Sequence, residues 1–279
     1  MNLELLRKQY HAAIFAELLT IDNKGIPSNA DKHSNISVKI AQSIVEQINL
    51  HVQANVVSGQ TAGKTFEKLT ANYLEQAFSE LNHLRPGKYA FFIGKSIETF
   101  EQYEHLAILT EALKNNRALR VLIGDYIICP DIIVGRKPIT DSEINETKSL
   151  LHTGDLSAQF TPLRIKNSSK LILHASISCK WTIRSDRSQN SRTEALNLLR
   201  NRKGNAPHIA IVTAEPYPQR IASLALGTGD LDCVYHFALP ELLNAVNCLN
   251  NESVADSVET LVSGKRLRDI SDLPFDMAI

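Results

Sequence analysis

The sequence predicts an α/β fold, a β-sheet covered by helices on both faces, and three observations carry that expectation. Between Leu171 and Trp181 the side chains alternate with a period of two. The period then changes, so that Glu194, Ala195, Leu198, Leu199 and Arg202 recur at helical spacing. Further apolar strand-like runs at 126–134, 208–215 and 233–237 are separated by helical stretches, the alternation that builds such sheets. With 279 residues, 43% of them hydrophobic, the chain is long enough for a sizeable core. No repeat, low-complexity tract or linker divides it, so one domain over 1–279 is expected.

Taken in order, Leu3, Leu6, Tyr10, Ile14 and Leu18 mark an amphipathic first helix. Asp22 to Asn35 is a polar loop rich in turn formers, and a second helix covers about Ile36 to Ile48. Ser58-Gly-Gln-Thr-Ala-Gly-Lys-Thr65 nearly spells a phosphate cradle, but only three residues separate Gly59 from Gly63 where four are required. Ile123-Gly-Asp125 is the only faint partner for magnesium on that reading, so a glycine-rich helix entrance is expected instead. The long helix after it buries Phe66, Leu69, Tyr73, Ala77, Phe78 and Leu81. A charged helix follows over about Glu98 to Asn115. Tyr126 to Val134 reads as a buried strand interrupted at Pro130, with Asp131 opening its second part.

Gly135 to Lys170 is polar and loop-like. In the strand that follows, Leu171, Leu173, Ala175, Ile177, Cys179 and Trp181 form the core face; His174, Ser176, Ser178 and Lys180 form the polar one. A helix then begins near Asp186 or Ser188. His208 to Glu215 is a core strand, Pro216 to Leu226 a short helix or loop, Cys233 to Phe237 a strand and Leu239 to Leu249 a helix.

The totals exclude more than they announce. Thirty basic residues balance thirty acidic ones. Four cysteines lack Cys-x-x-Cys spacing, and Cys129, Cys179 and Cys233 fall in apolar runs, which reads as buried free thiols in a reducing compartment. Charged residues at Glu4, Arg7 and Lys8 speak against a signal peptide, and no run is long enough to span a bilayer. A soluble cytoplasmic protein without a membrane partner is expected. Charge is concentrated locally: Lys180 to Lys203 holds seven basic side chains against two acidic ones, an excess that suits a polyanion or a solvated surface.

If the strands bearing Asp131 and Lys180 pair, a carboxylate and an ammonium meet at one end of the sheet. Carboxylates suit a hard divalent cation, and a lysine beside it can hold an attacking water. Glu194 shares a helical face with Leu198 and so turns inward, where a carboxylate needs a partner or a metal. Glu67, near the start of the long helix, can approach the same point.

At these residues the chain resembles a known family. Ser-Cys-Lys-Trp-Thr-Ile-Arg-Ser-Asp-Arg-Ser-Gln-Asn-Ser-Arg, residues 178–192, is similar to the NgoMIV-type type II restriction endonucleases, of the PD-(D/E)xK nuclease superfamily and the group that reads a central CCGG. Ser28 to Asp31, Gly59 to Thr61, Pro130 to Val134, His208 to Pro216, Leu226 to Ala238 and the closing run from Gly264 to Pro274 share the likeness; Gly135 to Lys170 does not. The resemblance implies a restriction-endonuclease-like core with a central mixed sheet. It implies an active site of Asp131, Lys180, Glu194 and Glu67, one or two Mg2+ ions on Asp131 and Glu194, and Cys179 near the metal by at most its backbone carbonyl. It further implies base reading by Arg184, Asp186, Arg187, Arg220, Asp31 and Gln60. Arginine matches the two major-groove acceptors of guanine and aspartate the amino donor of cytosine, so Arg184, Asp186 and Arg187 suit CC and GG. By the same resemblance Arg220 reads the outer guanine, Asp31 the outer cytosine and Gln60 the minor groove. The implied site is GCCGGC, cut after the first G to leave four-base 5′ overhangs. Implied partners are double-stranded DNA, further copies of the chain in a tetramer of two dimers, and a cognate DNA methyltransferase that shares the cell without being a bound subunit.

Each residue also has a plainer reading. Lys180 alone fits a solvated strand lysine, and Arg184, Asp186 and Arg187 a salt-bridged surface turn. Trp181 and Cys179 fit the core, His174 and His208 packing, and Gly227-Thr-Gly229 a turn. A structure-selective repair nuclease on the same core and a DNA-binding protein with a silent site remain as alternatives.

Overall fold

A computed structural model describes residues 2–52, 59–114, 128–183, 185–227 and 229–279, with the backbone alone for Lys114 and 185–189. The first helix, α1 (Leu3–Glu17), is capped by Asn2, whose side chain accepts the Leu5 N–H, and it buries Leu6, Tyr10, Ile14 and Phe15. It packs on α3 (Gly59–Glu80), whereas α2 (Asn35–Ile48) packs on the later helix Leu239–Cys248. Helix α3 covers Gly59 onward, so the near-cradle run is helical from Gly59 to Thr65, and Ser58 lies outside the described residues. From Gly63 onward its N–H groups face carbonyls four residues back and cannot converge on a phosphate. The faint partner at 123–125 and the start of the run at Tyr126 lie outside the described residues.

Six strands among the described residues form one sheet in sequential order. They are β1 (Tyr89–Ile93), β2 (Ile132–Arg136), β3 (Ile172–Lys180), β4 (His208–Thr213), β5 (Cys233–His236) and β6 (Leu267–Asp269). The first three pair antiparallel and the last four parallel, which makes the sheet mixed. Crossovers are supplied by α6 (Ser185–Asn201), α7 (Pro218–Ala225), α8 (Leu239–Cys248) and α9 (Glu252–Ser263). Right-handed crossovers between strands in sequential order share one face, where α6, α7 and α9 pack in series. Helix α3, with α1 against it, lies across β1 and β3 on the other face.

Several expectations need correction. The polar face of β3 is buried: His174, Ser176 and Ser178 are all enclosed, because helices cover both sides of the sheet. His174 also leaves the face assigned by simple alternation. The β2–β3 register slips between Val134 and Gly135, which leaves His174 as an extra residue in a bulge. Its ring packs on Phe78, Tyr89 and His208, and its Nε2–H donates to the Met277 carbonyl at 2.8 Å. Burial, reinforced by His208, lowers its pKa to about 3. Gly135 opposite has no room for a side chain, since a Cβ would lie 2.9 Å from the Phe100 ring.

The helix expected over Glu98 to Asn115 opens instead as two 3-10 turns, Ile97–Thr99 and Glu101–Tyr103, before α4 (Glu104–Lys114). Cys129 and Cys248 are exposed; only Cys179 and Cys233 are buried thiols. β1 and everything after Cys248, including the short α10 (Leu273–Asp276), are elements the pattern does not predict. The 135–170 interval is the expected loop, apart from Gly135 and Arg136 at the end of β2 and one turn, α5 (Asp141–Ile144), whose Asp141 pairs with Arg164 at 2.6 Å. Among the described residues no helix is long and apolar enough to cross a membrane.

Candidate active site

Two antiparallel strands end together, and one proline decides how. Ile132 faces Ile177, so the next hydrogen-bonded position along the ladder would set Pro130 against Cys179. Proline has no N–H, and the ladder stops there. The Asp131 side chain takes over: its Oδ2 accepts the Cys179 N–H at 2.7 Å and the Lys180 Nζ at 3.2 Å. A strand residue points its N–H and C=O to the same edge, so the Cys179 carbonyl stands beside Asp131 without a ladder donor. On the other edge the Lys180 carbonyl accepts Thr213 Oγ1 at 2.8 Å and the Ala214 N–H at 3.2 Å. Lysine and aspartate thus sit on a frame fixed from both sides, each side chain about a quarter exposed.

Two helices bring the remaining acids. Glu194 comes from α6, where Ala195 and Leu198 are buried against the core, and Glu67 from α3, beside buried Phe66. The Phe66 ring meets Trp181 edge-on at 5.4 Å, which locks α3 to the end of β3. Burial raises the carboxyl pKa of both glutamates. Asp131 raises Glu67 further while Lys180 opposes; for Glu194 Lys180 is the larger of the two and Asp131 again adds. All four predicted residues therefore share one electrostatic neighbourhood.

The donor set suits a hard cation. It consists of carboxylate oxygens and one carbonyl oxygen, crowded enough with negative charge for a cation to relieve. The Cys179 thiol does not belong to it: burial, then Asp131 and Glu67, push it well above the ordinary thiol range, so it stays protonated. Among the described residues no three His, Cys, Asp or Glu side chains stand close enough to hold an ion unaided. Magnesium commonly takes one or two carboxylates and completes its shell with phosphate and water.

The residues predicted to read bases fall into two groups. Arg184 lies outside the described residues, as do the side chains of Asp186 and Arg187, whose backbone forms the first turn of α6. Arg220 of α7 and Asp31 are joined as an ion pair across 189 residues of sequence. The Asp31 loop is held beside α7 because Asn29 Nδ2 donates to the Ala214 carbonyl at 2.8 Å. Gln60 is exposed in the first turn of α3, seven residues from Glu67 and so on the same side of that helix, about 10 Å along its axis.

One residue of this region is missed by sequence reasoning. Glu215, read only as the end of a core strand, is fully buried beside Arg220. A carboxylate closing an apolar strand is the signal that points to it.

A mixed sheet between helices, with Asp131 and Lys180 paired where two strands end and Glu67 and Glu194 in their electrostatic neighbourhood, is the arrangement expected of a nuclease of the restriction-endonuclease class. A family model described as NgoMIV restriction enzyme matches residues 10–279. The type II restriction enzyme NgoMIV of Neisseria gonorrhoeae is 45% identical to this chain, over 98% of the chain and 97% of its own length. The chain belongs to the NgoMIV restriction enzyme family. Among solved structures, Bse634I restriction endonuclease aligns over 71% of this chain and 78% of its own at 15% identity and a TM-score of 0.39. A complex of PspGI with substrate DNA aligns over 99% and 92% at 12% and 0.30. Both are too distant to bear on the site.

Proposed function

We propose that this sequence-specific restriction endonuclease is magnesium-dependent. It cuts duplex DNA at GCCGGC after the first G, leaving four-base 5′ overhangs with 5′-phosphate and 3′-hydroxyl ends. The observation that carries the chemistry is the shared Asp131 oxygen, held by a backbone N–H and by the Lys180 ammonium, with two glutamates in the same electrostatic neighbourhood. Asp131 and Glu194 hold the ion, with Glu67 and the Cys179 carbonyl assisting. Bound magnesium supplies Lewis-acid stabilisation of the charge that grows on the phosphate oxygens. Lys180 positions the attacking water in line with the scissile bond and offsets developing negative charge from its own side.

The base-reading assignment is supported by position in the chain. Asp186 and Arg187 fall in the first turn of α6, the helix that carries Glu194, and Arg184 precedes it in sequence, so central CCGG contacts and the cutting site are proposed to share one helix. Asp31 and Arg220 stand side by side, as residues must if they are to serve one outer C·G pair. Gln60, exposed in the first turn of α3, reads the minor groove. A palindrome requires two-fold symmetry, hence at least two copies of the chain. A tetramer of two dimers is supported by the apolar surface of the 135–170 loop, where Leu156 and Phe160 are 90% and 96% exposed. The enzyme works in the cytoplasm, beside a separate methyltransferase that protects the host's own sites.

A plasmid bearing GCCGGC and one lacking it, each incubated with and without magnesium, test this directly. Discrete cuts confined to the first plasmid with magnesium are expected, and run-off sequencing of the ends gives site and cut position together. Indiscriminate degradation would mark a repair nuclease; a gel shift without cutting would mark a silent DNA-binding protein. Arg187→Ala should weaken binding to the cognate site by about 1–3 kcal/mol and relax selectivity at one base pair. Equal weakening on all sequences would assign Arg187 to phosphate.

A further inference from the structure

We propose that Glu215 is a positioning residue that ties Ile183, which leads into the central base-reading run at 184–187, to the outer pair Arg220–Asp31, so that one buried side chain sets selectivity at both. The inference rests on those residues being base readers, as proposed above. Its geometry is independent of that reading. Glu215 Oε2 accepts the Ile183 N–H at 2.8 Å, one residue before Arg184. Its Oε1 accepts the Tyr217 N–H at 3.1 Å, at the cap of α7, and Arg220 Nη1 lies 3.8 Å from Oε2. Both segments that carry base readers are thus hung from opposite oxygens of one carboxylate.

The adjoining backbone extends the same tie. The Ala214 carbonyl holds Asn29, two residues before Asp31, and the Glu215 N–H donates to Thr213 Oγ1, which donates to the Lys180 carbonyl. Three turns of irregular chain meet on Thr213, Ala214 and Glu215. A fully buried carboxylate is expensive to keep unless its oxygens are filled. Here the groups that fill them belong to the recognition segments, so displacing either segment leaves part of the charge unsolvated. The carboxylate holds both in register before DNA arrives, and base contacts then need little reordering.

Titration adds a handle on this tie. Burial lifts the Glu215 pKa to about 7, against the Ile183 and Tyr217 N–H groups and Arg220, which lower it, while Asp31 adds slightly. His236, whose ring meets the Glu215 backbone, is pushed down to about 4 by its own burial and stays neutral near pH 7. As the pH falls through 7 the carboxyl takes a proton, one oxygen becomes a donor, and the hold on Ile183 or Tyr217 and on Arg220 weakens.

The test measures relative affinity of full-length protein for three duplexes, in calcium to prevent cutting. One carries the site mapped by run-off sequencing, one an altered outer pair and one an altered central pair. In Glu215→Gln, discrimination should fall about tenfold at both positions, with the wild-type preference restored in part by Glu215→Asp. Wild-type discrimination should decline between pH 8 and pH 6, and that decline should be missing in Glu215→Gln. A lower melting temperature with both ratios and the pH profile unchanged would make Glu215 merely structural and overturn the proposal. If Glu215→Gln does not fold, the wild-type pH profile decides alone, and a flat profile overturns the proposal. Arg220→Ala and Arg187→Ala serve as references. If they leave discrimination intact, the assignment of base readers has failed, and the tie has not.

Discussion

Lys180→Ala is expected to lose cleavage by on the order of a hundred- to a thousandfold while still binding its site. The frame around the lysine survives the change. Asp131 keeps the Cys179 N–H at 2.7 Å, and the Lys180 backbone carbonyl keeps Thr213 and Ala214. What disappears is the ammonium 3.2 Å from Asp131, the group proposed to position the attacking water and offset developing charge. Removing it also leaves Asp131, Glu67 and Glu194 without their local counter-charge, so binding is best compared in calcium, which carboxylates also hold. Single-turnover cleavage of pre-bound DNA alongside a gel shift separates the two effects. Loss of both together would show that Lys180 supports the strand end and does not take part in the chemistry.

Arg7→Ala should have the largest effect on stability, about 3 kcal/mol or a melting temperature roughly 5 °C lower. The Arg7 guanidinium bridges two carboxylates from distant parts of the chain: Glu241 of α8 at 2.7 Å and Asp269 of β6 at 3.0 Å. All three side chains are less than a fifth exposed. Burial works against the Arg7 charge, but hydrogen bonds to Glu241 and Asp269 outweigh it and hold its pKa above the ordinary value. Burial likewise opposes ionisation of the two acids, yet Arg7 keeps both below their ordinary values of 4.5 and 3.8. The sign of the pH dependence follows. Carboxylates with depressed pKa stabilise the fold fully above their unfolded values, and that contribution fades as pH falls through the folded ones. The deficit of Arg7→Ala should therefore be full at pH 7 and shrink below about pH 4. A deficit independent of pH would mean that the arginine contributes packing and not charge.

The fold class was legible in the sequence, and so was the meeting of Asp131 with Lys180, because both sit at strand ends the pattern already marks. Glu194 and Glu67 stand out as candidates because metal chemistry restricts the usable side chains. Glu215 escapes because, although a carboxylate closing an apolar strand draws notice, its partner Ile183 lies 32 residues away and only the packed chain brings the two together. The short edge strand β1, half-buried along most of its length, shows too little contrast between its faces to be read. His174 changes face because the bulge depends on Gly135 and Phe100, neither of them a sequence neighbour.

What the sequence determined by itself is local and periodic: the switch from strand to helix after Trp181, the amphipathic faces of α1 to α3, and a proline at position 130 that stops a ladder. Such features follow from 2.0- and 3.6-residue repeats and from a missing N–H, which a single stretch of chain carries in full. Tertiary structure alone decided that both faces of β3 are enclosed, that Arg7 is clamped between two acids more than two hundred residues away, and that Asp31 meets Arg220. Those outcomes depend on which charges lose water together. Desolvation belongs to the packed molecule, since no segment can shield its own polar groups from solvent on both sides.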